Sequence, residues 1–263
     1  MQVSGMGEPL LRERVILLTG GASGIGRECA RAYAAEGAYV VVADVDDENA
    51  DRTVASLQTE GLAIRCDVSR PADVESAVRE VLARYGRLDA VHNNAGLAYP
   101  SKPLHETTGD EWDRLFRVNI KSVYLTTRCA FDALRESKGC IVNTASLVGT
   151  VGQANHAAYV ATKGAMIALT KAMALDYAGY GIRVNAVCPA GVWTDMLRAW
   201  AAEQPDPDAV AAGLDNLHPL GPCPEADVVA DACAFLLSDR ARFITGCALP
   251  VGGGAELGYR RIG

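Results

Sequence analysis

Residues Val15 to Asp44 read VILLTGGASGIGRECARAYAAEGAYVVVAD. An aliphatic run enters a glycine cluster between Thr19 and Gly26, a segment with apolar residues at helical spacing follows from Gly24 to Glu36, and a second aliphatic run spans Tyr39 to Asp44. This is the signature of a strand, a tight turn, a crossover helix and a parallel strand, since strands buried on both faces read as continuous apolar runs. The rhythm repeats downstream. A helix is expected over 48–59, a strand over 63–66, a helix over 71–85 and a strand over 88–93. A long helix over 111–134, a strand over 140–144, a second long helix over 159–179 and a strand over 183–187 come next. A helix near 224–237 and a strand over 248–251 close the series. Seven strands separated by helices predict a single α/β domain, doubly wound, with a parallel sheet and helices on both faces. Residues 15–188 form the cofactor-binding and catalytic core of that reading, 189–224 a lid, and 225–263 a C-terminal helix, strand and tail.

Composition agrees with one packed domain. Of 263 residues 49% are apolar and 22% charged, which excludes disordered and fibrous classes. The net charge of −7 comes with no basic stripe, so nucleic acid is not an expected partner. No apolar run approaches the length of a membrane helix and the first residues lack a signal-peptide core, so a cytoplasmic protein without membrane association is expected. Eight cysteines are scattered without metal-ligand spacing and read as small buried hydrophobes in a reducing compartment, with no metal expected.

The glycine cluster carries the first functional signal. Gly20, Ser23, Gly24, Ile25 and Gly26 stand between a strand and a helix, where glycines allow a pyrophosphate to approach backbone and the helix N-terminus offers free N–H groups to it. Asp44, at the end of the second strand, is placed to accept hydrogen bonds from the adenosine ribose and to repel a 2′-phosphate. NAD is therefore expected over NADP. Asp46 and Asp47 read as solvated acids and Arg27 as a surface residue. Asp67-Val68 after the third strand, and Asn94-Ala95-Gly96 after the fourth, put small and polar residues at successive strand ends facing the same ligand.

Ser146 follows the fifth strand, and Tyr159 and Lys163 stand four apart at the start of a helix, hence on one face. A lysine charge ~4 Å from a phenol at an effective dielectric of ~20 favours the phenolate by ~4 kcal/mol, which brings the phenol toward neutrality before the lysine's own desolvation is counted. That is the tuning a general base needs.

These motifs together resemble the short-chain dehydrogenase/reductase family in its single-domain branch, over Val15 to about Val251. The motifs are TGGASGIG, Asp44, Asp67-Val68, Asn93 to Gly96, Asn119, Ser146, Tyr159, Lys163 and Asn185. The resemblance implies a Rossmann-like fold and a nicotinamide cofactor. Tyr159 would exchange the substrate proton, with Ser146 bonded to the same oxygen, Lys163 holding the nicotinamide ribose and Asn119 helping to hold a water behind Lys163. Pro189, Val192 and Thr194 match positions that meet the nicotinamide carboxamide. Ala190 replaces the family's usual glycine, and Gly252 its common aspartate. The resemblance also implies a homo-oligomer, a dimer or a tetramer built through the two long helices and the C-terminal strand region.

The segment from Pro189 to Pro224 holds six prolines and two tryptophans and follows a strand end, so it reads as a lid over substrate. Together with SLVGTVGQANHAAYVATKGA (146–165) and the tail GGGAELGYR (252–260) it is similar to a subgroup of NAD-dependent L-fucose and 17-beta-hydroxysteroid dehydrogenases. That likeness implies substrate contacts from Gln153 and Trp193 beside Ser146 and Tyr159. Leu97 and Ala98 stand where vertebrate members of the subgroup have histidines. His156 reads either as a polyol contact or as a surface histidine. Met196, Leu197 and Trp200 read as pocket wall or helix face, with Trp200 assigned to core. The expected reaction is oxidation of a secondary alcohol or of a sugar hemiacetal such as L-fucose. The alternatives are a hydroxysteroid or cyclic-alcohol dehydrogenase, an NADP-dependent 3-oxoacyl-carrier-protein ketoreductase, and a non-catalytic NAD sensor.

Overall fold

The computed structural model describes residues 8–257, so the last residues of the tail stretch, 258–260, lie outside the described region. Strands β1 (Val15–Thr19), β2 (Tyr39–Asp44), β3 (Gly61–Arg65), β4 (Ala90–Asn93), β5 (Cys140–Thr144), β6 (Arg183–Pro189) and β7 (Ala248–Val251) form one sheet in the order β3-β2-β1-β4-β5-β6-β7. Every pairing is parallel. Successive side chains of a strand point to opposite faces, and both faces are covered. Val15 and Leu17 of β1 pack with Val41 and Ala43 of β2 on one side, while Ile16 and Leu18 pack with Val40 and Val42 on the other. The first side is roofed by α3 (Pro71–Tyr85), α5 (Ser122–Ser137) and α7 (Ala157–Ala178). The second is roofed by α1 (Gly24–Ala35), α2 (Asp47–Ala55) and α10 (Asp227–Leu237).

The chain winds outward from β1 through β2 to β3, then returns to β4 on the other flank of β1. The segments leaving β1 and β4 therefore run apart and open a crevice at the carboxyl ends of the strands.

Three expectations change. The helix expected over 111–134 is two helices, α4 (Gly109–Phe116) and α5, joined by a π-helical turn at Arg117–Lys121. The apolar period runs through that turn almost unbroken, so periodicity could not reveal the extra residue. Its start at Gly109 is fixed by a capping box, in which the Thr108 hydroxyl accepts from the Glu111 N–H and the Glu111 carboxylate accepts from the Thr108 N–H. The segment after β6 holds two helices absent from the expected series, α8 (Asp195–Ala202) and α9 (Pro207–Asp215). Their N-caps, Thr194 and Asp206, accept from the N–H groups of Leu197 and Ala209. A one-turn helix, α6 (Val148–Val151), also precedes α7.

Leu18 is fully buried at the centre of the sheet. Leu18→Ala should lower unfolding stability by about 2–5 kcal/mol, the usual cost of a core truncation, with an unchanged m value in urea titration.

Candidate active site

The crevice between the β1 and β4 segments opens into a cleft of about 930 Å³. The turn after β1 is built by close approach. Gly20 is left-handed at φ +69°, and a Cβ on it would stand 2.7 Å from the Ala95 Cα; a Cβ on Gly26 would overlap the Gly20 carbonyl oxygen. Asn94 clamps this turn, its Nδ2 donating to the carbonyls of Gly20 at 2.9 Å and Thr19 at 3.2 Å. Ser23, the N-cap of α1, makes no side-chain bond to the first turn, and that turn carries no acidic residue. The helix end therefore keeps N–H groups and its positive dipole end for an anionic ligand. Asp44 accepts from the Ala22 N–H at 2.9 Å and the Asp46 N–H at 3.1 Å, one bond per carboxylate oxygen, leaving acceptor capacity toward the cleft. This glycine cradle, helix terminus and acidic strand end fit a dinucleotide. Asp67 and Val68, and Ala95 and Gly96, line the same cleft, as do Ile25, Pro189, Val192 and Thr194.

Arg27 is not at the ribose position. Its guanidinium pairs with Asp195 at 3.1 Å and joins α1 to the start of α8.

Ser146, Tyr159 and Lys163 meet deeper in the cleft. The Ser146 hydroxyl stands near the Tyr159 phenol and donates to the Pro189 carbonyl at 3.4 Å. Lys163 Nζ donates to the Thr144 carbonyl at 2.7 Å and lies 5.5 Å from the Tyr159 ring centroid. Burial decides the protonation of both groups here. It pushes the Tyr159 phenol up to about 12, opposed by the nearby Ser146 hydroxyl, and pushes the Lys163 amine down to about 8. The expectation that the lysine charge alone brings the phenol toward neutrality is thus corrected for this state, because desolvation disfavours both charged forms.

Asn119 lies in the π-helical turn and does not border the cleft. Its Oδ1 accepts from the Leu97 N–H at 2.8 Å, and its Nδ2 donates to the Leu97 carbonyl at 2.9 Å and to the Thr162 hydroxyl at 3.0 Å. Both amide hydrogens are committed, so the side chain braces the segment after β4 against α7.

Gln153 and His156 reach the cleft from the segment between β5 and α7. Trp193, expected to contact substrate, does not line it. The indole is half-buried on the far side of the segment, stacked with the Arg198 guanidinium 4.9 Å from its centroid and bridged through backbone to Glu225. Trp200, assigned to core, does line the cleft, together with Met196 and Leu197 of α8 and Leu214 and Leu217 at the end of α9. Trp193 precedes the α8 N-cap and is held outward by its backbone bridge to Glu225, whereas the phase of α8 turns Trp200 to the cleft.

Two polar groups escaped the sequence reading. Among the described residues, His218 is 3% exposed with no hydrogen-bond partner for either ring nitrogen, and Glu256 Oε2 is buried with none. His218 packs behind Gly191, and Glu256 lies beside Gly252 with Ala190 and Leu147, all near the substrate end of the cleft. His218 stands in no quoted motif and Glu256 only in the tail stretch 252–260, and the fold brings both there. The fold also gathers three cysteine and histidine side chains that the sequence presented as scattered. Cys29, His92 and Cys233 have ligand-type atoms within 4.8 Å of one another, in the core between α1, β4 and α10. All eight cysteines are free thiols, and all but Cys129 and Cys247 are buried.

A strand–turn–helix cradle for a dinucleotide that opens onto a Ser-Tyr-Lys set defines a nucleotide-dependent oxidoreductase. Residues 20–256 match the family model described as enoyl-(acyl carrier protein) reductase. Among curated relatives, an L-fucose dehydrogenase of Bos taurus is 42% identical over 94% of this chain and 91% of its own length. A meso-2,3-butanediol dehydrogenase of Serratia marcescens is 42% identical over 92% and 94%. The crystal structure of a 3-ketoacyl-(acyl-carrier-protein) reductase from Brucella melitensis complexed with NADH superposes with a TM-score of 0.85 at 34% identity, covering 93% of this chain and 99% of that one. The chain belongs to the short-chain dehydrogenase/reductase family. It is an oxidoreductase that uses a nicotinamide cofactor.

The two buried groups give a pH prediction. With Tyr159 as the base of oxidation and its phenol held at about 12, the deprotonated fraction rises about tenfold per pH unit below that value, so kcat/KM for oxidation should climb from pH 6 to 7.5, below the point near 8 where the Lys163 amine loses its charge. Reduction uses the phenol proton, which is present throughout, and should stay flat over the same interval. Steady-state profiles in both directions test this.

Proposed function

We propose that this enzyme is an NAD-linked dehydrogenase of small hydroxylated substrates, oxidising a secondary alcohol or the hemiacetal hydroxyl of a sugar of the L-fucose type. The observation that carries the reading is the convergence of Ser146, Tyr159 and Lys163 at the closed end of a cleft whose other end is the Gly20–Gly26 cradle. The relatives named L-fucose and butanediol dehydrogenase support the substrate class, and the unpartnered His218 and Glu256 beside the cleft support a ligand with several hydroxyl groups. A buried polar group without a partner is costly, and a polyol or its ordered water can supply one.

The residues divide as follows. Gly20, Ser23, Gly24, Ile25 and Gly26 hold the pyrophosphate, Asp44 the adenosine ribose hydroxyls, and Asp67, Val68, Asn94, Ala95 and Gly96 the adenine side. Pro189, Val192 and Thr194 border the nicotinamide, and Lys163 and Tyr159 hold its ribose. The bound nicotinamide supplies a two-electron hydride acceptor. Tyr159 takes the proton of the substrate hydroxyl as the C–H hydride departs, and Ser146 bonds the same oxygen and stabilises the charge on it. Lys163 favours the phenolate. Gln153 meets the substrate from the segment above Tyr159, and α8 and α9 act as the lid that excludes water.

Preference for NAD over NADP follows from the Asp44 carboxylate, which repels a 2′-phosphate. A second reading has support in the lid. Met196, Leu197, Trp200, Leu214 and Leu217 give the cleft an apolar wall that suits an alicyclic or steroid alcohol. A panel of aldoses, polyols and cyclic alcohols followed by nicotinamide absorbance separates the two, since turnover confined to apolar alcohols would exclude the sugar reading. We also propose a homo-oligomer, supported by Leu175 of α7 at 82% exposure and a fully exposed Phe243 before β7. The set of free thiols supports a reducing, cytoplasmic compartment.

Tyr159→Phe should reduce kcat by at least about 100-fold, the scale of general acid–base catalysis, with cofactor affinity retained; unchanged turnover would sink the mechanism. Asp44→Arg should move the NAD/NADP ratio of kcat/KM toward NADP by about tenfold or more, as expected when one charge contact of ~1.4 kcal/mol is reversed. An unchanged ratio would show that Asp44 does not read the ribose.

A further inference from the structure

Behind the glycine turn, on the side away from the cleft mouth, a chain of buried polar groups runs through the core. His92 in β4 is fully buried. Its Nδ1 lies 2.8 Å from the Tyr33 hydroxyl of α1, and its Nε2 lies 2.9 Å from the Thr144 hydroxyl at the end of β5. Thr144 Oγ1 is in turn 3.2 Å from Asn94 Oδ1. The thiol of Cys233 packs 4.0 Å from His92 Nε2, with Cys29 alongside.

The direction of every proton in this chain follows from one fixed end. The carbonyls of Thr19 and Gly20 accept only, so the Asn94 amide must turn its Nδ2 toward them, and its Oδ1 then faces Thr144. That oxygen accepts, so the single Thr144 hydroxyl hydrogen is donated to it. Thr144 Oγ1 has only lone pairs left for His92, which must therefore carry its proton on Nε2. His92 Nδ1 is then the acceptor, and the Tyr33 hydroxyl donates to it. In this arrangement the sequence of donors runs from Tyr33 through His92 and Thr144 to the Asn94 amide. The backbone carbonyl of the same Thr144 receives the Lys163 ammonium at 2.7 Å, so the chain ends between the cofactor turn and the Lys163 side of the site.

We propose that His92 is a positioning residue for the cofactor turn: by donating to Thr144 Oγ1 its Nε2–H holds the Thr144 hydroxyl hydrogen on Asn94 Oδ1, and so braces from behind the amide whose Nδ2 holds the Thr19 and Gly20 carbonyls and aims the N-terminus of α1 at the pyrophosphate. Without that N–H the Thr144 hydroxyl can rotate off Asn94 Oδ1, which leaves the amide held at its Nδ2 end alone. The turn would then loosen at the point where Gly20 and Gly26 leave no tolerance for displacement. The inference concerns cofactor affinity rather than substrate, and it rests on the proposed function only in taking a nicotinamide dinucleotide as the reporter.

The test uses the full chain, with NAD and NADP each titrated calorimetrically into wild type and variants, so that a wrong cofactor preference shows in wild type and leaves the inference standing on whichever dinucleotide binds. His92→Leu should weaken dinucleotide binding about fivefold to tenfold, the scale of one lost hydrogen bond with its orienting role, while kcat at saturating cofactor stays within about twofold. His92→Gln, whose amide nitrogen can reach the Nε2 position, should restore affinity to within about twofold of wild type. Thr144→Val should weaken binding as His92→Leu does, and it decides the question if His92→Leu does not fold. The proposal is overturned if a folded His92→Leu or Thr144→Val binds dinucleotide like wild type. It is equally overturned if His92→Gln is as impaired as His92→Leu, which would mean that ring shape and not the donor matters, or if the loss falls on kcat with affinity unchanged.

Discussion

The fold turns on a steric constraint at one position. Where Gly26 passes the Gly20 carbonyl there is no room for a Cβ, so the chain can leave β1, reverse and enter α1 only if that residue has no side chain. The tightness has two consequences. It brings the first turn of α1, with its free N–H groups, to the strand ends at the cleft, and it packs α1 directly on the sheet, where Cys29, Ala30, Tyr33 and Ala34 are buried. The parallel sheet then follows from short crossovers on both faces, and the reversal of direction between β1 and β4 leaves the crevice.

Burial sets the chemistry as firmly as it sets the packing. Tyr159 and Lys163 are carried by α7 into a region where water is largely excluded, and exclusion of water opposes charge on either of them. The ammonium is supported at close range by the Thr144 carbonyl, and the Ser146 hydroxyl stands near the phenol. The π-helical turn contributes from a distance. By commiting the Asn119 amide to Leu97 and Thr162, it ties the segment after β4 to the helix that carries Tyr159 and Lys163. Such turns concentrate at functional sites because the extra residue redirects a side chain without ending the helix.

The cleft wall opposite the glycine turn comes from a different part of the molecule. Helices α8 and α9 are short and held by their own caps, with Thr194 serving both as the N-cap of α8 and as a border of the cleft. Met196, Leu197 and Trp200 of α8 give the cleft an apolar wall, while the polar His218 and Glu256 are buried behind it.

What was legible in the sequence was whatever depends on local order. The aliphatic runs gave all seven strands, the glycine cluster gave the turn, and the four-residue spacing of Tyr159 and Lys163 gave their common face, because each is fixed by the period of a single element. The two caps of the lid helices, Thr194 and Asp206, were also present in the sequence but were masked by the prolines around them. The tertiary structure alone decided which tryptophan faces the cleft, that burial holds the Tyr159 phenol up and the Lys163 amine down, and that Asn119 is a brace. It alone brought Tyr33, His92, Thr144 and Asn94 into one chain of hydrogen bonds. These depend on helical phase, on water exclusion and on contacts between residues far apart in the chain, and no periodicity in a linear sequence records them.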